Sequence, residues 1–217
     1  MTEYSSGVRG FIRICANVSA ITQFLHQDMR SFLDKYPNVQ IHLSEKTSTE
    51  IIKSVKNNIA DIGVFSNSYS YSTSEVQVLH YRRDKLTLIV PSGHPLLKRY
   101  YTFSDALNYD FIGMHKGGNI NHVLSNAANG IMHDLRMKVQ VHTTGFDTLC
   151  TMVNSNLGVG VLPTSVAKLY SRIFDIKLIP IEEDWAERKI DICVRSRESL
   201  PKAAQLFIDH LSTSESK

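Results

Sequence analysis

The sequence predicts an α/β fold of two Rossmann-like lobes joined by two crossover segments. Three observations lead there. Short apolar strands alternate with segments of helical period from Arg13 to Phe65, the pattern of βαβ units. The alternation restarts after a Ser- and Tyr-rich break at Asn67 to Ser74 and runs on to Pro163. Finally, the amphipathic segment Ser199 to Leu211 needs an apolar surface, and the first lobe has too few covering helices of its own. Placing it there makes the chain leave the first lobe and return to it.

Taken in order, Arg13 to Ala16 reads as a strand, and Ser19 opens a helix. Its Ile21, Phe24, Leu25, Phe32, Leu33 and Tyr36 recur at helical spacing before Pro37 stops it. Val39, Ile41 and Leu43 alternate with Asn38, Gln40 and His42, which is strand patterning. Thr47-Ser48-Thr49-Glu50 matches a capping box, and Ile51, Ile52, Val55 and Ile59 supply the face of the helix behind it. Asp61 to Phe65 is a third, apolar strand.

The second round begins with a strand region from Val76 to Val90. It is interrupted at Arg82-Arg83-Asp84-Lys85, read as a solvated turn, and closed by Pro91. Phe111 to Met114 is a strand, Ile120 to Asn129 a helix ending at Gly130, and Val139 to His142 an alternating strand. Asp147 to Asn156 turns Leu149, Cys150 and Val153 to one side. Leu157 to Pro163 then compresses a helix stop, a buried strand and a strand stop. Gly158 suits the left-handed position that closes a helix, and Gly160 admits close approach to the backbone. Lys189 to Arg195 alternates Ile190, Ile192 and Val194 with polar residues, and the last helix presents Ala204, Phe207, Ile208 and Leu211. The lobes are expected at residues 1–86 plus 190–217 and at 87–189. The crossovers fall near Asp84 to Leu88 and Ala186 to Asp191, which makes a hinge with a cleft.

Composition narrows the function. A 42% hydrophobic content builds real cores, and a net charge of +3 over 24 basic and 21 acidic residues forms no concentrated basic patch, so nucleic acid is not an obvious direct partner. Met1 to Gly10 is polar and does not read as an export signal, and no stretch approaches a membrane span. Cys15, Cys150 and Cys193 are odd in number and set among apolar neighbours. That fits a reduced, cytoplasmic setting, with a mature exported form as the alternative. Cys150 reads as core, with a redox-sensing thiol as the other possibility.

No metal or cofactor is expected. None of the nine histidines pairs with another at helical ligand spacing or with a cysteine. Gly158-Val159-Gly160 is followed by Pro163 and precedes a strand, which rules out a dinucleotide loop. No activated nucleophile or acid–base pair can be read, so no catalytic residue is assigned and the chain is not expected to be an enzyme.

Several stretches, in this order and spacing, resemble the effector-binding domain of LysR-type bacterial transcription regulators. They are Gly10-Phe11-Ile12-Arg13-Ile14 leading to Ser19, Phe32 to Pro37, and Ala60-Asp61-Ile62-Gly63-Val64. Val90-Pro91 with His94-Pro95-Leu96, Asn156 to Pro163, and Ser199-Leu200-Pro201 with Ala203, Ala204 and Phe207 complete the set. The resemblance covers nearly the whole chain. It implies a type 2 periplasmic-binding-protein-like fold that holds a small-molecule effector between the lobes. It also implies a homodimer, a tetramer in the full-length protein, and contact with DNA only through an N-terminal helix-turn-helix domain absent from this chain. A transporter's solute-binding protein on the same fold is the runner-up, and an enzyme on that fold the third class.

In such a fold the ligand meets helix amino ends, where unpaired N–H groups and the helix dipole favour anions. The residues placed there are Asn17, Ser19, Thr47, Ser48, Phe65 and Ser66 from the first lobe, and His115 to Asn119, including Gly117, with Thr144, Gly145 and Phe146 from the second. Val161 and Leu162 would line the wall through their backbone. Hydroxyls without charge point to a small carboxylate or related anion recognised by neutral donors. The same residue types also cap helices, so Ser19 and Thr47 fit either role. His115 equally suits a surface loop, Phe146 core packing, and Gly158 and Gly160 plain chain geometry.

Overall fold

Alternating burial along the first strand sets the layers of the fold. The computed structural model describes residues 7–67, 72–98, 101–115, 118–131 and 137–213, with Ile131 described by its backbone alone. The chain packs as two compact units. One ends at Arg83 and resumes at Lys189, and the other is Asp84–Arg188.

In unit 1, β1 (Gly10–Ala16) turns Ile12, Ile14 and Ala16 to one face and Cys15 to the other. Asn17 caps the helical run that follows, its Oδ1 accepting the Ala20 N–H at 3.0 Å. This corrects the expected start, since Ser19 lies inside the first turn. The run is α1 (Val18–Ala20), a π-turn over Ile21–Leu25, and α2 (His26–Lys35). The wider π-turn brings adjacent Phe24 and Leu25 to the same core, which a 3.6-residue repeat does less well. β2 (Val39–Glu45) pairs parallel with β1, and the capping box at Thr47 opens α3 (Ser48–Lys56). Ile59 lies beyond the end of α3 and is 58% exposed, so it does not belong to the helix face expected for it. β3 (Ile62–Ser66) pairs parallel with the other edge of β1.

β4 (Gln77–Pro91) runs without a break from unit 1 into unit 2. The turn expected at Arg82 to Lys85 does not form, and Arg82 and Asp84 find partners from extended backbone. Arg82 stacks on the Tyr81 ring and reaches Asp28 at 3.4 Å, and Asp84 pairs with Arg188. The Tyr81 hydroxyl also donates to Asp28, and burial drives that phenol far above its ordinary pKa.

Unit 2 continues with α4 (Phe103–Ala106), β5 (Phe111–Met114), α5 (Asn119–Ile131), β6 (Val139–Thr143), α6 (Phe146–Asn154) and β7 (Val159–Pro163). β5 lies parallel between β6 and β7, while β4 pairs antiparallel with β7. Asn156, at φ 59, takes the left-handed position after α6 that had been expected of Gly158. Gly158 answers a different need: a Cβ there would drive into the Asp110 carbonyl, which accepts the Val159 N–H at 2.8 Å. Gly160 makes room for Leu149, whose Cδ2 would lie 2.5 Å from an added Cβ. Three elements lie outside the sequence reading, α4, α7 (Thr164–Tyr170) and β8 (Ile176–Pro180), the last antiparallel to β4.

β9 (Glu187–Val194) returns to unit 1 and pairs antiparallel with β3, and α8 (Lys202–Thr213) closes the chain. Phe207 of α8 meets Phe32 of α2 at a centroid distance of 4.9 Å, in a core with Ile12, Ile14, Ile190 and Ile192. α3 covers the opposite face through Ile51, Ile52 and Val55, which pack with Cys15, Phe65 and Cys193. Truncating one aromatic ring of this kind to alanine costs about 3–5 kcal/mol. No helix among the described residues is long and apolar enough to cross a membrane.

Candidate functional site

Parallel pairing makes β1, β2 and β3 finish at one edge of the unit 1 sheet, where open α/β sheets hold ligands. The segments that follow are stitched together there. Asn17 N–H donates to the Val64 carbonyl at 3.2 Å, Lys46 N–H to Ala16 at 3.0 Å, and the Ser48 hydroxyl to Ser66 O at 3.3 Å. Asn17, Ser19, Thr47, Ser48, Phe65 and Ser66 are therefore neighbouring features of one edge. Their side chains are not equally placed for a ligand. Phe65 is fully buried beneath α3, and Ser19, Ser48 and Ser66 are buried as well. The Thr47 hydroxyl donates to Glu50 Oε2 at 2.7 Å, and the same carboxylate takes the Thr47 N–H at 2.9 Å. Glu50 thus puts a negative charge at the start of α3, opposing an anion there.

In unit 2, β5 and β6 end together at Met114 and Thr143, which sets His115 beside Thr144, Gly145 and Phe146. Thr144 is exposed, Phe146 is buried in the face of α6, and Gly145 N–H reaches Thr143 Oγ1 at 3.4 Å. Gly117 lies outside the described residues. α5 starts here with no acidic residue in its first turn, whereas α6 carries Asp147. The Asn121 side-chain amide donates to the Met114 carbonyl and to the His115 carbonyl, the latter at 3.1 Å, and so ties α5 to the end of β5. Val161 and Leu162 are buried and lie opposite Leu88 and Thr87 of β4.

Sequence reading missed two features. Lys46 lies two residues before α3, close enough to Cys15 for its positive charge to act on that thiol. Its place at a strand end before a capping box was the available signal. The second feature is a buried cluster of Asp84, Arg188 and Asn119, with Arg188 Nε donating to Asp84 Oδ1 at 2.9 Å and Nη1 to Asn119 Oδ1 at 3.3 Å. Nothing local announces it, since Asp84 and Arg188 are far apart in the chain. Burial raises the thiol pKa of all three cysteines, to about 12 for Cys150 and Cys193, which suits core packing and not redox sensing. No metal-ligating cluster occurs among the described residues. A cavity of about 190 Å³ lined by His94, Tyr109, Asp110 and Leu157 sits at the start of β5 and β7, the end opposite His115 and Thr144.

A sequence model of the family described as LysR substrate binding domain matches residues 5–215. The chain belongs to this family. It is 20% identical over 214 residues to a probable RuBisCO transcriptional regulator of Phaeodactylum tricornutum, covering 97% of this chain and 70% of that protein. A protein of the same description from Chlorokybus atmophyticus is 23% identical, over 91% of this chain and 64% of its own length. The transcriptional dual regulator GltC of Bacillus subtilis is 26% identical, over 94% and 68%. The chain thus spans roughly two thirds of the length of these regulators.

Solved structures agree on the fold. The effector-binding domain of QuiR in complex with shikimate superposes with a TM-score of 0.80 at 16% identity, covering 95% of this chain and 97% of that one. The CcmR regulatory domain of Synechocystis in complex with 2-PG gives 0.84 at 17%, over 96% and 99%. The BenM effector-binding domain with benzoate gives 0.80 at 18%, over 95% and 92%. This LysR substrate-binding domain therefore has the α/β, type 2 periplasmic-binding-like architecture of LysR effector-binding domains. The relatives named above are described as transcriptional regulators.

Proposed function

We propose that this LysR substrate-binding domain senses a small anionic metabolite between its two units and relays its presence through a rearranging dimer. In the whole protein, taken to be a cytoplasmic regulator, a DNA-binding head would read out that change, and a tetramer would be the working assembly. Asn17, Ser19, Thr47, Ser48, Phe65 and Ser66 would face His115, Thr144, Gly145, Phe146, Val161 and Leu162 across the ligand. The observation that carries the reading is the gathering of amide and hydroxyl groups at the carboxyl edge of each sheet, beside helix starts. Support comes also from the shikimate of QuiR and the benzoate of BenM, both small carboxylates. The dimer would form through the helix after β1 and the β2 edge against the partner's second unit. Such a relay works only if the ligand prefers one arrangement over the other.

Thermal melting with a panel of small carboxylates, beginning with benzoate and shikimate, tests this, because a ligand of the native form raises the melting point by mass action. Thr144→Val should abolish the shift and leave the unliganded melting point unchanged. Silence towards every acid, with an amine or sugar binding at micromolar strength, would overturn the anionic assignment. Sedimentation that shows only monomer at high concentration would remove the dimer.

A further inference from the structure

We infer that Arg188 is a positioning residue for the ligand site, holding the amino end of α5 to both strands on which the chain passes between units. The inference rests on the proposed function for its purpose, though not for its geometry. Asp84 and Arg188 are the first and last residues of unit 2, on β4 and β9. Their side chains are 3% and 1% exposed. The guanidinium grips the carboxylate with two donors, Nε to Oδ1 at 2.9 Å and Nη2 to Oδ2, and turns Nη1 to Asn119 Oδ1 at 3.3 Å. Asn119 is the first residue of α5 and is itself buried. One planar, rigid fork thus joins three segments.

A buried ion pair of this kind is a poor device for stability alone, because desolvation offsets most of its attraction and an apolar pair would serve as well. Its distinguishing property is geometry. A guanidinium donates only in its own plane, so displacement of either strand or of α5 loosens the others. Asn119 lies four residues beyond His115, and Asn121, two residues on, ties the same helix to the Met114 and His115 carbonyls. Whatever displaces Met114, His115 or the start of α5 therefore acts on both of these strands. Because Asp84 neutralises it, Arg188 orients the site instead of serving as its anion receptor.

Amide hydrogen exchange on the intact chain, read peptide by peptide, tests this. In Asn119→Ala, exchange should rise about tenfold over residues 84–88 and 187–190 together with 120–123, while α6 stays as in the wild type. Asn119→Asp keeps the acceptor oxygen and should restore wild-type exchange at both strands. Arg188→Lys keeps the charge, loses the fork and should behave like the alanine variant; if it does not fold, the two Asn119 variants still decide. Faster exchange confined to α5, or a uniform rise across residues 84–188, would overturn the inference. Failure of every carboxylate to raise the melting point would defeat the proposed function and leave the exchange result to judge the clamp.

Discussion

Gly63→Ala, combined with Cys193→Ala, probes the layer beneath α3. Gly63 lies opposite Cys15 on one neighbouring strand and Cys193 on the other. A Cβ at residue 63 would stand 2.6 Å from Cys193 Sγ, 2.6 Å from Ile51 Cγ2 and 3.0 Å from Val55 Cγ2. Ordinary carbon contacts lie near 3.5–4.0 Å, so β9 and α3 must each give way by roughly 1 Å. Overpacking of a tight core costs about 1–3 kcal/mol, and two rigid neighbours put this case near about 3. Cys193→Ala alone loses one buried, methyl-sized group, about 1 kcal/mol. In the double variant the new methyl enters the space the sulfur vacated, and only the Ile51 and Val55 contacts remain. The pair should then cost about 2–3 kcal/mol, not the roughly 4 of independent effects. Urea unfolding followed by far-UV circular dichroism measures it. The sole tryptophan, Trp185, lies in unit 2 and reports that unit separately. Additivity within about 0.5 kcal/mol, or a neutral Gly63→Ala, would refute the packing argument.

Other outcomes follow from the same structure. Gly158→Ala should destabilise unit 2 by about 2 kcal/mol, seen in the Trp185 fluorescence transition, because the methyl meets the Asp110 carbonyl. Gly130→Ala, in α5 with open space around it, should instead stabilise by about 0.5–1 kcal/mol. All three thiols are buried with raised pKa values, so a thiol reagent at pH 8 should label the native protein only at its opening rate and all three sites in urea. Burial lowers the His94 imidazole below its usual 6.5, so the unfolded chain binds that proton more readily. Its share of stability is whole above pH 6.5 and is lost as pH falls through 6.5 towards the lower folded value. The urea midpoint should therefore fall less between pH 7.5 and 5.5 in His94→Asn than in the wild type.

Much of the fold was legible because its signals are local. The strand and helix periods of β1 to β3, the capping box at Thr47 and the apolar face of α8 each lie within a few residues, and the structure has each of them. Where reading failed, neighbours distant in sequence decided. Arg82 to Lys85 has the composition of a turn, yet Asp28 pairs with Arg82 and Arg188 with Asp84 while β4 stays extended. At the candidate site, the polar residues at strand ends were visible, but their commitments were not. Thr47 is bound to Glu50, Ser48 to Ser66, and Phe65 sits in the core.

Sequence by itself determined most of the strands and helices in order, though not α4, α7, β8 or the unbroken course of β4, because backbone period and capping act over a turn or a pleat. Tertiary structure decided which of those residues remain available to a ligand and how the two passages are held. An ion pair between residues 84 and 188 exists only once folding has set their strands beside one another and taken both charges out of water.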